Sequence, residues 1–183
     1  MKIKLFTVGC LLLLVHFSYA QKYISKSTHI RFYSHTPMED IEADNHQVAS
    51  ILDIATGDLS FSLLIKSFEF KRTLMQEHFN ENYMESDKFP KAGFKGKITN
   101  IAKIDFKKDG SYPVDVTGEL TIHGTTKTVT ATGTIEIKGG VITANSKFEI
   151  VPQDYDIKIP TVVAEKFAKQ FDIYIDAPYN PFK

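Results

Sequence analysis

The sequence contains no Trp and a single Cys, and its 22 basic side chains are matched by 22 acidic ones. Each shortage removes a class of protein. With Cys10 alone, no intrachain disulfide and no thiolate zinc cluster can form. A formal net charge of zero supplies neither the basic stripe that nucleic acid needs nor a polybasic grip on anionic lipid. Nucleotide and hydrolase signatures are missing too: there is no Walker loop, G-x-G-x-x-G, G-x-S-x-G or H-E-x-x-H. Long apolar runs are scarce, and the main one, Leu11-Leu12-Leu13-Leu14-Val15, is too short for a membrane-spanning helix.

That run has a different use. Residues 1–20 open with Lys2 and Lys4, pass through the leucines, and close on Ser18-Tyr19-Ala20, the pattern of a secretory signal peptide. The expectation is a leader over 1–20 and one domain over 21–183, exported to the periplasm or secreted, with no transmembrane span after removal of the leader. Cys10 precedes the apolar run instead of following it, which argues against a lipid-modified cysteine. Lys2 and Lys4 leave with the leader, so the domain is slightly acidic. About 160 residues without disulfides can still bury enough surface to fold.

What the sequence has is alternation. Leu59, Phe61, Leu63 and Ile65 face one way; Phe68 and Phe70 then take the other parity. Val114, Val116, Gly118, Leu120 and Ile122 alternate with Asp115, Thr117, Glu119, Thr121 and His123, and Val129, Ala131, Gly133, Ile135 and Ile137 repeat the pattern. Period two with Thr-rich outer positions reads as half-buried strands. Glycine turns at Gly57, Gly110, Gly124 and Gly139-Gly140 read as hairpins. Eight strands are expected, over 23–34, 46–55, 58–70, 92–107, 112–123, 127–138, 141–151 and 169–177. Gly93 and Gly96 suggest a bulge that bends the fourth. Two stretches have helical spacing: 72–85, with Met75, Phe79 and Tyr83 on one stripe, and 161–170. Both read as lids over a sheet. The pattern fits either an up-and-down barrel or a two-sheet sandwich.

Polar chemistry is sparse. Outside the leader the histidines are His29, His35, His46, His78 and His123, with no i,i+2 or i,i+4 pair of metal-ligand spacing, so no metal or catalytic site is expected and they read as surface or turn residues. Glu39, Asp40, Glu42 and Asp44 read as a solvated acidic loop without the spacing of a calcium loop. Aromatics are plentiful: fourteen Phe and eight Tyr, of which only Phe6, Phe17 and Tyr19 fall in the leader. They either pack solidly or line an elongated apolar cavity.

Two motifs in order narrow the choice. The stretch Glu81-Asn82-Tyr83-Met84-Glu85-Ser86-Asp87-Lys88-Phe89-Pro90-Lys91-Ala92-Gly93-Phe94, followed by Gly118-Glu119-Leu120-Thr121-Ile122-His123-Gly124-Thr125-Thr126-Lys127, resembles the YceI-like polyisoprenoid-binding family. Ser27-Thr28-His29-Ile30-Arg31-Phe32 and Tyr155-Asp156-Ile157-Lys158-Ile159-Pro160 resemble its opening and closing strands. The resemblance implies an all-β fold, an extended eight-stranded antiparallel up-and-down barrel of lipocalin-like shape with one or two short helices. It also implies non-catalytic binding of a long isoprenoid, quinone or acyl-chain amphiphile. Tyr83-Met84-Glu85 and Gly93 depart from the family pattern.

On this reading the ligand lies against Phe61, Leu63, Ile65, Phe94, Ile98, Leu120 and Ile122, with Met75, Phe79 and Tyr83 closing one mouth. No cofactor is expected beyond that apolar ligand, no nucleic-acid partner is expected, and a homodimer remains compatible. The competing readings are a barrel hydrolase or isomerase working through His78 or His123, and a solid-core interaction module.

Overall fold

The computed structural model describes residues 22–161 and 168–182. Eight strands follow one another: β1 (Lys22–His35), β2 (Asp40–Asp53), β3 (Asp58–Leu64), β4 (Lys91–Ile98), β5 (Gly110–Ile122), β6 (Thr125–Lys138), β7 (Val141–Ile150) and β8 (Phe171–Pro181). Each pairs antiparallel with the next and β8 returns to β1, so the sheet closes in chain order. The fold is an eight-stranded antiparallel barrel, and the sandwich is excluded. Closure removes the exposed edges that an open sheet would otherwise have to protect.

The alternation sorts side chains as expected in β5 and β6. Val114, Ile135 and Ile137 are buried inside, while Asp115, Glu136 and Lys138 are exposed. Elsewhere the boundaries move. β2 begins at Asp40, six residues earlier than the expected 46, because Ile41, Ala43 and Asn45 point inward and are buried between the acids. The acidic stretch is therefore strand, and its carboxylates are paired: Asp40 with His35, Glu42 with Lys71, Asp44 with His29, and Glu39, just before the strand, with Arg72.

β3 stops at Leu64, where Ile65–Ser67 turns the chain as a 3-10 element. β4 stops at Ile98, well short of 107. The expected bulge at Gly93 and Gly96 is absent, since β4 pairs in unbroken register with β3 and β5. Gly96 instead faces Gly118 across the ladder, and a Cβ at either would come within 2.4–2.6 Å of the Phe94 ring. The two glycines make room for that ring to lie across them. The register shifts fall in β1, around Thr28.

Between β3 and β4 the expected helix forms as α1 (Thr73–His78), widening into a π-helical turn, Phe79–Tyr83. Of the second expected helix, 161–170, residues 162–167 lie outside the described residues.

Among the described residues three apolar clusters pack inside the barrel. One end is packed solid by Tyr23, Leu52, Leu59, Ile98, Ile142 and Tyr179, among others. The opposite end, beneath α1, holds a phenylalanine cluster, with Ile65, Met84, Tyr155 and Ile157 beside it.

Candidate functional site

Between these ends the barrel encloses a cavity of about 500 Å³, within the range of small-molecule sites. The structure brings all ten residues singled out in the sequence to its wall. Phe61 and Leu63 reach it from β3 and Ile65 from the turn that follows. Phe94 and Ile98 come from β4, and Leu120 and Ile122 from β5. Met75, Phe79 and Tyr83 cover it from α1 and the π-helical turn. Burial raises the Tyr83 phenol above its ordinary range.

Sequence reasoning missed the opposite wall. Ile30 and Phe32 of β1, Phe148 and Ile150 of β7, and Ile173 and Ile175 of β8 also line the cavity. Each pair is two residues apart, so the same parity rule would have found them.

The lid is held by aromatic packing. The Phe79 ring sits 5.5 Å from Phe32, 5.7 Å from Phe68 and 4.9 Å from Phe70. Such pairs add about 0.5–1.5 kcal/mol each beyond their buried area. Phe68 and Phe70, which switch parity in the sequence, do so because the chain has left β3 and wraps over the end of the barrel.

A polar clamp secures the far side of the lid. The His123 imidazole stands between two acceptors, the Glu85 carboxylate 2.9 Å from Nε2 and the Tyr155 carbonyl 3.2 Å from Nδ1. His123 is buried rather than a surface residue, and its φ of 52° is accommodated in the tight turn with Gly124. One ring thus ties the lid, the β5–β6 hairpin and the segment after β7. Neither His123 nor Glu85 is on the cavity wall. His78 is on the wall, at the lid, and is exposed.

Among the described residues, the charged and ionisable side chains on the wall are confined to the lid end: Glu39 and Arg72, hydrogen-bonded to each other, with His78 and Tyr83. Among the described residues no cluster of His, Cys, Asp and Glu could hold a metal ion, and no helix is long and apolar enough to cross a membrane.

A closed antiparallel barrel around an apolar lumen, packed at one end and lidded by a short helix at the other, defines a class of small lumen-bearing barrel. The family is specific. The YceI-like domain model matches residues 21–178, and the chain belongs to that family. The barrel is similar in structure to a polyisoprenoid-binding domain from Saccharophagus degradans, at 11% identity over 89% of this chain and 99% of that one, with a TM-score of 0.75. It is similar to BcnA of Burkholderia cenocepacia, at 18% identity over 82% of this chain and 95% of that one, with a TM-score of 0.70. A YceI protein of Campylobacter jejuni shares 15% identity over 100% of this chain and 91% of that one, with a TM-score of 0.55. No curated protein matches the chain.

Proposed function

We propose that the protein is a non-catalytic carrier of a long apolar amphiphile, a polyisoprenoid, quinone or fatty-acid-like chain, held in the barrel lumen. The observation that carries this reading is the lumen itself, about 500 Å³ with a wall that is apolar along most of its length. Burying a chain there gains roughly 0.8 kcal/mol per methylene removed from water. Phe61, Leu63, Ile65, Phe94, Ile98, Leu120 and Ile122 form the proposed bed for the chain, and Met75, Phe79 and Tyr83 the cover. Family membership supports the reading, as does similarity to a domain described as polyisoprenoid-binding.

The leader-like residues 1–20 support a carrier that works in the periplasm or outside the cell, where free long-chain lipids need shielding from water. The enzyme reading has less support: the His123–Glu85 pair does not face the lumen, and among the described residues no carboxylate is bonded to the lid-end His78.

Native purification, organic-solvent extraction and mass spectrometry test the proposal. A stoichiometric prenyl or acyl chain is the expected extract. Repeatedly empty extracts, with no uptake of an apolar fluorescent probe, would sink it.

A further inference from the structure

Two exposed apolar side chains stand at the lid-end rim of the barrel. Met38 sits in the turn between β1 and β2 and Leu74 on α1, each 62% exposed. The turn is braced: the Thr36 hydroxyl accepts from the Met38 and Glu39 amides and donates to the Glu39 carbonyl, at 3.0–3.3 Å. Glu39 in turn is hydrogen-bonded to Arg72, just before α1. That bond ties turn to helix. Met38, one residue before Glu39, and Leu74, two after Arg72, are therefore carried on one rim.

A methionine held in water by such bracing contributes little burial to the fold. Leu74 adds a second observation. It lines the cavity while being largely exposed, so the apolar surface of the lumen continues outward at this residue. Val141 and Phe182, at the packed end, are comparably exposed, but neither lies on the cavity wall. Continuity with the lumen sets the lid-end pair apart.

The chemistry of the cargo and the charges of the rim choose the occupant. A long chain released into water is disfavoured by roughly fourfold per methylene. It passes most readily between carrier and bilayer where the two touch. Lys71 and Arg72 are bonded to Glu42 and Glu39, while Glu77, three residues past Leu74, is exposed. Such a rim has no polybasic grip on anionic lipid and fits a zwitterionic surface. Two apolar side chains fall well short of stable anchoring, so the contact is brief.

We infer that the rim carrying Met38 and Leu74 is a docking surface for a zwitterionic phospholipid bilayer, against which the barrel loads and unloads its chain. This inference rests on the carrier reading above and adds the partner and the end of the barrel that meets it.

The test follows transfer of a fluorescent fatty-acid analogue from the purified protein to phosphatidylcholine vesicles by stopped flow. The rate should rise in proportion to vesicle concentration, as transfer on contact requires. Met38→Asp, off the cavity wall, should lower that slope by about tenfold, the scale of one buried apolar side chain, and leave the Kd for the analogue unchanged. Leu74→Asp should also lower the slope, and Val141→Asp should leave it as it is. The chain has no Trp, so Met38→Trp adds a single reporter, which vesicles of dibrominated phosphatidylcholine should quench. Three results would each overturn the docking surface and leave the carrier intact. One is a transfer rate independent of vesicle concentration, and another is an equal loss of slope in Met38→Asp and Val141→Asp. The third is Met38→Trp emission that shifts with protein concentration and not with vesicles, which would put a second copy of the chain on the rim. Failure of the protein to take up the analogue at all would overturn the carrier reading itself.

Discussion

The two ends of the barrel are built from the same alternating strands, yet they differ in what fills them. At the packed end, Leu52, Ile142, Ala177 and Tyr179 are almost completely buried, and Tyr179 bonds to Ser50 inside the core. Burial there pushes the Tyr179 phenol far above its ordinary range, so it stays neutral and serves as a hydrogen-bonding core residue. At the lid end, cavity-lining residues such as Phe61, Leu63 and Phe148 are only half-buried, and Leu74 on the lid is 62% exposed. The packed end keeps the barrel closed. The lid end leaves space and covers it with parts that can separate: a helix of under two turns, a phenylalanine cluster and one imidazole clamp. Stability and the capacity for a ligand are thus assigned to opposite ends of one sheet.

Substitutions can separate these roles. The largest effect on stability should come from Ile142→Ala, which empties a fully buried site off the cavity wall. Urea unfolding should show a loss of about 2–5 kcal/mol, with apolar-probe affinity in the remaining folded protein unchanged. Val116→Phe pushes a ring into existing space and should do the reverse. Probe affinity should fall by roughly tenfold, the scale of about 1–2 kcal/mol of lost apolar burial, while the urea midpoint hardly moves. Phe79→Ala removes the centre of the lid cluster. It should destabilise by about 1–3 kcal/mol and speed probe dissociation in stopped-flow measurements more than it slows association. Smallest is His123→Ala, with an expected cost of about 1 kcal/mol and faster amide exchange confined to residues 79–89. If Ile142→Ala and Val116→Phe gave the same pattern, the division between the ends would not hold.

Much of this architecture was legible because strand parity is a strong signal where one face is wet. In β5, every second residue from Val114 to Ile122 is small or apolar and the intervening positions are polar, so both strand and inner face could be read. In β2 the same alternation was hidden. Ile41-Glu42-Ala43-Asp44-Asn45 has only two apolar inward residues, and its outward acids suggested a loop until Lys71, Arg72, His29 and His35 were seen to pair with them and with their neighbours Glu39 and Asp40. Gly96, read together with Gly93 as a bulge, looked like a bend because its reason, the Phe94 ring lying over Gly96 and Gly118, acts across strands. The end of the β6–β7 ladder at Gly133 and Ser146 was beyond reach for a related cause. Thr128, Thr130 and Thr132 read as ordinary outer strand positions, and a sequence does not record where a ladder ends. His123 likewise looked like a turn residue, and its partners Glu85 and Tyr155 lie 38 and 32 positions away.

The central claim is that the lumen between the packed end and the lid holds a chain. A crystal structure of the protein grown with a saturated fatty acid brominated at its tail tests this directly through the anomalous signal of bromine. The account predicts bromine inside the barrel, near Leu52, Ile98 and Ile135 at the inner limit of the cavity. Bromine confined to the outer surface, with the lumen filled by water or by inward-collapsed side chains, would contradict it.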